Sequence, residues 1–294
     1  MPLTATPRAI AAAALTCPVC AAPSAVEHRL EDFTLCRCSE CDHCFTDLNS
    51  IDRAEQYEAN YFEEEHRNWF LHPDLDLYEK LTRIILAHKP NAAILDVGCG
   101  NGNLLRYLRS RGRDLSLTGI DIAPNEPSAR IEYLRGNFGE HKFDRRFDVL
   151  VSLAVIEHIP NVALFAERLS EFCEPGGLVI TMTVDERSLI YGAAQALHRA
   201  GYSVPLKRLY SKHHLNHFTH HSLKSLLERR GLRTIQILRH NTPIAAVDTP
   251  KTSRLSKLIL KTGVWGAFQI GSLTGRTMLQ TIISEKSDSR SKHL

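Results

Sequence analysis

Along the middle of the chain, short apolar runs alternate with stretches whose apolar residues recur every three or four positions. The runs at Ala92–Val97, Ser116–Ile120, Ile131–Leu134, Asp148–Ser152 and Leu178–Thr183 read as buried strands. Between them Gly102–Ser110, Ala123–Ala129 and Val162–Cys173 predict helices. Such alternation predicts an α/β fold, a doubly wound and mostly parallel sheet with helices on both faces. Ahead of it, Leu75–His88 carries Leu77, Leu81, Ile84 and Ile85 at helical spacing and stops before Pro90. A helix at His220–Arg230, a strand at Leu232–Leu238 and a last strand at Thr277–Ser284 follow. Ser253–Gly271 reads as an amphipathic helix bearing Leu255, Leu258, Ile259, Val264, Trp265 and Phe268.

Outside this pattern the composition changes. Residues 1–16 and 287–294 read as flexible tails, 17–48 as a cysteine-rich module, and 49–90 as connector and lid helices. The connector includes an acidic, aromatic stretch, Glu55 to His66, with Tyr57, Tyr61 and Phe62. The main domain is placed at 91–286, with a helical insertion at about 250–275. Lys and Arg total 36 against 33 Asp and Glu, so the formal charge is only +3, which argues against a nucleic-acid partner. No run reaches the roughly 18 consecutive apolar residues of a membrane span.

The Ile94-Leu-Asp-Val-Gly-Cys-Gly-Asn-Gly-Asn103 segment ends a strand in a glycine-rich turn that opens a helix. Gly98, Gly100 and Gly102 let the backbone turn sharply and a ligand approach its N–H groups. The spacing is Gly-x-Gly-x-Gly, not the Gly-x-Gly-x-x-Gly of a dinucleotide site. Asp96 precedes the first glycine, where it would repel a pyrophosphate and suit an ammonium group. Asp121 closes the next strand, where a carboxylate can accept from both hydroxyls of a ribose.

Ile94–Asn103, Gly119–Ile122, Phe147–Pro160 and Glu174–Thr183 together resemble the successive motifs of class I S-adenosylmethionine-dependent methyltransferases. The resemblance runs from about Tyr57 to Leu238, with Thr277–Ser284 matching the terminal antiparallel strand. It implies S-adenosyl-L-methionine as cofactor, with Asp96, Gly98, Cys99, Gly100 and Gly102 around its methionine part. Asp121 would hold the ribose and Ile122 would pack on the adenine. Asn137 and Phe138 follow Gly136 where the family often has a Gly-Asp pair facing the adenine amino group, and the Asn137 amide oxygen can still accept there. Leu153 would line the cofactor. Tyr61 and Phe62 match an aromatic lid, or else pack on the sheet edge.

Just past the fourth strand, Glu157 and His158 stand where ligands of open α/β sheets bind. His158 can take a proton near neutral pH, as transfer to a hydroxyl requires; equally, the pair can cap the next helix and shape the pocket. A second cluster, His213-His-Leu-Asn-His217-Phe-Thr-His-His221, resembles the family's segment before its last helix. There Thr219 would be the helix cap, His217 could face the acceptor, and His220 and His221 would be solvated. A metal site among these histidines lacks a carboxylate to complete it.

Six of the eight cysteines lie between Cys17 and Cys44. Cys17-Pro-Val-Cys20 and Cys38-Ser-Glu-Cys41 are two Cys-x-x-Cys knuckles, a pattern suited to four thiolates around one structural zinc. Cys36 and Cys44 flank the second knuckle and could replace a ligand, but the spacing of Cys38 and Cys41 mirrors the first knuckle and favours those two. Reduced thiolates without an export signal point to the cytoplasm, since a signal peptide would have to be cut inside the first knuckle. The arrangement resembles a zinc-ribbon-like segment found ahead of several bacterial methyltransferases, some of them acting on sugars.

The expected activity is methyl transfer, on oxygen, to a small molecule, sugar or glycan precursor. RNA base methylation and a non-catalytic cofactor-binding scaffold are the alternatives. Arg254, Lys257 and Lys261 on Ser253–Gly271 raise a membrane-surface contact, against packing on the domain or a dimer contact. The sequence leaves acceptor and oligomeric state open.

Overall fold

The computed structural model describes residues 15–51, 67–111, 114–211, 213–248 and 253–287. The expected tail residues before Leu15, the last residues of the chain, and the aromatics Tyr57, Tyr61 and Phe62 lie outside the described residues. At the N-terminus β1 (Ser24–Arg29), β2 (Thr34–Cys38) and β3 (Cys44–Thr46) form an antiparallel meander, with the second cysteine knuckle in the connection from β2 to β3. Two helices follow, α1 (Arg67–Leu71) and α2 (Leu75–His88). Asp74 caps α2 by accepting from the Leu77 N–H, and Leu77, Leu81 and Ile85 form its buried stripe.

The main domain runs β4 (Ala93–Val97), α3 (Asn103–Arg111), β5 (Ser116–Asp121), β6 (Ile131–Arg135), β7 (Phe147–Leu153), α4 (Val162–Phe172) and β8 (Cys173–Val184). Next come α5 (Leu189–Arg199), α6 (Val204–Leu209), β9 (Asn216–His217), α7 (His220–Glu228), β10 (Leu232–His240), α8 (Arg254–Thr274) and β11 (Leu279–Lys286). Seven of these strands make one sheet in the order β10-β11-β8-β7-β4-β5-β6. The five strands from β6 to β8 are parallel, and β11 is antiparallel to both of its neighbours. Along β7, Val149 and Val151 enter one apolar core while Leu150 enters the other, so both faces are covered. From β4 the chain steps outward through β5 and β6, then returns to β7 on the other side of β4. That reversal opens a crevice at the carboxyl ends of β4 and β7.

Three features depart from the sequence reading. The helix expected at Ala123–Ala129 does not form; the segment is irregular and bears Pro124 and Pro127, each lacking a donor N–H. Residues 185–212, left without an element, contain α5 behind the Ser188 cap and α6 with a proline in its first turn. The cysteine module also borrows its fourth strand: β9 pairs with β3, giving the order β1-β2-β3-β9.

The predicted amphipathic helix is present as α8, capped by Ser253 and closed by Gly275 at φ 69°. Phe268 and Gly271 are buried against the domain, whereas Leu255 is 67% and Leu273 88% exposed. No helix among the described residues is long and apolar enough to cross a membrane.

Candidate active site

The crevice opens into a cavity of about 1950 Å³ that reaches from the β4 loop to α8. A pocket for one drug-sized ligand measures roughly 300–1,000 Å³, so this space has room for two molecules side by side. Its two ends differ in chemistry.

At the β4 end, Gly98 turns back on the sheet at φ +69°, and a Cβ there would sit 2.4 Å from a methyl of Val155. Gly102, at φ +77°, leaves room for the Tyr133 hydroxyl, which a Cβ would meet at 2.1 Å. Gly100 donates its N–H to Asp121 at 2.8 Å, and Ala123 donates to the other Asp121 oxygen at 2.9 Å. The carboxylate is thereby fixed on the cavity wall, with lone pairs to spare for a diol. Asp96 lies beneath the loop, 3% exposed. Burial first, and the charge of Asp121 second, push its carboxyl up to about 7. Two acids crowded in this way gain from a cationic ligand, and a sulfonium amino acid fits that electrostatic requirement. Cys99 packs inward beneath Gly119 instead of lining the cavity, and burial raises its thiol.

Ile122, 46% exposed, together with Asn137, Phe138 and Leu153, lines the next part of the wall. The Asn137 side-chain oxygen already accepts from Gly139 N–H at 2.9 Å, so an adenine amino group would use its second lone pair. Beyond Leu153, Ala154 holds φ at 56°, a strained value for a residue with a Cβ, and turns the chain toward His158.

His158 lies in the cavity wall on a short 3₁₀ turn, Ile156–His158. Its Nδ1–H donates to the His213 carbonyl at 2.9 Å, which leaves Nε2 as the basic nitrogen. Burial lowers the pKa of the ring, while the bond to the His213 carbonyl acts in the opposite direction. The preceding Glu157 is buried and accepts from Thr183 Oγ1 at 2.8 Å. His217 is elsewhere. It is fully buried behind the wall, and burial holds its pKa down to about 3. The ring packs on Tyr210, 4.5 Å between centroids, and is not among the lining residues. His214, which the sequence did not single out, takes the wall position and meets His158 edge-on at 4.8 Å. Thr219 does cap α7, in a reciprocal box with Ser222.

Past the histidines the lining turns apolar. Tyr202, Val204 and Leu209 close one side, and Ile259, Leu260, Val264 and Ala267 of α8 the other. Arg208 and Asp248 are charged members of this end. Little here resembles the dense array of hydrogen-bonding groups that a sugar requires.

The four knuckle sulfurs converge at the far side of the β1–β3 meander. Cys17 and Cys41 approach to 3.5 Å, Cys20 and Cys38 to 3.4 Å, and all four lie within 4.8 Å of one another. A tetrahedral zinc at about 2.3 Å from each sulfur needs about 3.8 Å between sulfurs, so the set fits such an ion. Cys36 and Cys44 are buried outside it. The histidine cluster is not among the metal-competent groups found in the described residues.

A family model for a methyltransferase domain matches residues 53–237. The ubiquinone biosynthesis O-methyltransferase of Azorhizobium caulinodans is 36% identical over 103 residues, covering 31% of this chain and 40% of that protein. The enzyme of the same name from Rickettsia canadensis is 29% identical over 167 residues, 49% of this chain and 68% of its own. The matched part thus spans about half the length of these curated relatives. A Galdieria sulphuraria structure described as a sarcosine dimethylglycine methyltransferase superposes with TM-score 0.52 at 18% identity, over 73% of this chain and 86% of that one. Phosphoethanolamine N-methyltransferase 2 of Haemonchus contortus gives 0.50 at 17% identity, over 81% and 59%; at such identities the likeness is one of fold. A family match over more than half the chain, on this sheet and around these loops, places the chain in the methyltransferase domain family of S-adenosylmethionine-dependent enzymes.

Proposed function

We propose that the protein methylates a hydroxyl of an apolar small molecule, of the phenol or catechol class with a hydrocarbon tail, using S-adenosylmethionine. The observation that carries this reading is the single cavity joining an acidic, glycine-lined end to an apolar end, with His158 between them. Bound at the acidic end, the donor supplies a methyl carbon already activated by its sulfonium. Asp96 and the Gly98–Gly102 turn would hold its amino-acid part, Asp121 its ribose, and Ile122 with Phe138 its adenine. His158, neutral and with Nε2 unprotonated, would take the acceptor's hydroxyl proton as the oxygen attacks in line. The apolar wall would take the tail, in keeping with relatives named for ubiquinone biosynthesis and against a glycan or an RNA base. Incubating the protein with methyl-labelled donor and a set of prenylated catechols, sugars and RNA tests it. Labelling confined to the catechols supports the reading; labelling of sugar or RNA alone refutes it.

The exposed side of α8 suggests how such an acceptor arrives. Leu255, Leu258, Ile270 and Leu273 point outward, Arg254, Lys257 and Lys261 stand on the same helix, and it contains no Asp or Glu. That combination of apolar surface and positive charge fits an anionic bilayer surface, and the helix also lines the apolar end of the cavity. Flotation with phosphatidylglycerol vesicles, lost in Leu255→Asp and absent with phosphatidylcholine, is the expected result. A concentration-dependent dimer by sedimentation, with no flotation, would assign the face to a second copy instead.

We further propose a structural zinc held by Cys17, Cys20, Cys38 and Cys41. About one zinc per chain by elemental analysis, lost in Cys38→Ser, is the expected outcome.

A further inference from the structure

The sheet of the cysteine module is completed by a strand of the catalytic domain, and that strand is the backing of the His158 turn. Cys44 of β3 pairs with His217 and Phe45 with Asn216, and Thr46 N–H donates to the Leu215 carbonyl at 2.9 Å. The same segment holds three consecutive residues of the turn. His158 donates to His213 O at 2.9 Å, Leu215 N–H donates to Glu157 O at 2.8 Å, and Asn216 Nδ2 donates to Ile159 O at 2.8 Å. Asn216 is joined in turn to the second knuckle. Its Oδ1 accepts from His43 Nε2 at 3.1 Å, and the His43 carbonyl accepts from Cys38 N–H at 2.9 Å. A continuous line of bonds therefore runs from a cysteine of the knuckle, through His43 and Asn216, to the residue after His158.

A second line starts at Arg37, between Cys36 and Cys38. Its guanidinium donates to Glu186 at 3.1 Å, and this buried carboxylate accepts from the Tyr210 hydroxyl at 2.6 Å and from Gln195 at 3.1 Å. Gln195 belongs to α5 and Tyr210 follows α6, the two helices behind one side of the acceptor wall. The Gly98–Gly102 turn is supported differently, by the Ile120 carbonyl and the Asp121 carboxylate of β5. Among the described residues, none of the bonds given to that turn comes from the module.

We propose that the cysteine module is a positioning device for the acceptor half of the site: it clamps residues 213–217, and through them His158, while the cofactor loop stands without it. Asn216 and Arg37 are its positioning residues. The proposal rests on the readings of His158 as the proton acceptor and of the four cysteines as a zinc set, and its test separates failure of the clamp from failure of either reading.

The decisive variant is Asn216→Ala in the full, zinc-loaded chain. It removes the side-chain link between module and turn but keeps every cysteine and the main-chain pairing of β3 with β9. Amide exchange at 156–160 should quicken about tenfold or more with exchange at 97–121 unchanged, because the opening is local. Zinc content should stay at wild-type level, the cofactor Kd should stay within about twofold, and kcat should fall about 10- to 100-fold, the usual effect of a misaligned reacting group. Should Asn216→Ala not fold, His43→Phe keeps a ring against Phe218 and removes only the bond to Asn216; the same pattern is expected at smaller amplitude. Unchanged exchange at 156–160, or equal quickening in the cofactor loop, overturns the clamp. Exchange and cofactor affinity need neither turnover nor metal. If His158→Gln retained full rate, or the protein held no zinc, those readings would fall while the exchange result still decided the clamp.

Discussion

At the cofactor end of the cavity the supporting groups come from one stretch of chain, Asp96 to Val155, and each contact lies at or just beyond the ends of β4, β5, β6 or β7. At the acceptor end the wall is collected from α1, α5, α6, the 213–217 segment and α8, with the cysteine module bracing it from behind. The first end recognises a molecule of fixed shape and charge, and a compact set of turns suffices. The second, on the proposed reading, must take an acceptor and yet hold one imidazole still. It is therefore built from separate parts, any of which can change without disturbing cofactor binding. This difference makes the two ends separable by mutation.

The largest effect is expected where the two ends meet. His158→Gln keeps a polar group of similar size but no base, so kcat should drop about 10²- to 10⁴-fold, the usual range for a lost proton acceptor. Calorimetry should find cofactor binding unaltered. The wild-type rate should rise with pH as His158 loses its proton, because only the neutral ring can accept another. Burial lowers its pKa, so this limb should lie at lower pH than for an ordinary imidazole. A limb that survives in His158→Gln would transfer the role to another group.

Asp121→Ala probes the cofactor end. It removes the acceptor for a diol together with the anchor of the Gly100 and Ala123 N–H groups. Hydrogen bonds to a charged group contribute about 1.5–3 kcal/mol, so the cofactor Kd should weaken about 10- to 100-fold. Labelled methyl transfer at saturating cofactor should recover most of kcat; a permanent loss would mean that Asp121 also shapes the acceptor end.

How far the sequence disclosed each end follows from the same contrast. Asp96, the glycine turn and Asp121 are adjacent to strand ends, so hydrophobic periodicity and residue type place them without knowledge of long-range contacts. The acceptor end depends on pairings that no local pattern encodes. Asn216 and His43 are 173 positions apart, and the facing of His214 and His217 is fixed by the edge of a sheet at the other terminus. Reading that histidine run alone favours His217 for the acceptor, yet the pairing buries it and presents His214. The helix expected at Ala123–Ala129 fails for a legible reason, its two prolines, which alanine and glutamate propensity obscured. The cysteine knuckles were visible from spacing; the pairing of β3 with a strand of the catalytic domain was not.

Asp96 offers a sharper test of the cofactor end. Burial and the charge of Asp121 push the Asp96 carboxyl up to about 7, and a cationic ligand selects the ionised form. Lowering the pH from 8 to 6 should therefore weaken cofactor binding about tenfold, a proton being released on binding. A buried carboxyl raised above its unfolded value binds more protons in the native state, so it lowers stability as pH rises from the usual carboxylate range through about 7. Asp96→Asn should accordingly raise the melting temperature of the ligand-free protein at pH 8 while nearly abolishing cofactor binding. If Asp96→Asn bound the cofactor as well as wild type, with the same pH dependence, the acid would have no part in charge recognition.

The smallest effect expected lies deepest in the acceptor end. Val264 faces the cavity from α8, and Val264→Ala removes two methyl groups from the apolar wall. A buried methylene contributes about 0.8 kcal/mol, and a mobile tail refills part of the space. The acceptor KM should thus rise only about threefold to fivefold, with kcat and cofactor Kd unchanged. Acceptor length decides the meaning of this change. A short catechol, occupying only the region near His158, should be indifferent to Val264→Ala, whereas a prenylated one should show the full increase. Equal sensitivity in both would place the tail elsewhere and leave α8 without a role in choosing the substrate.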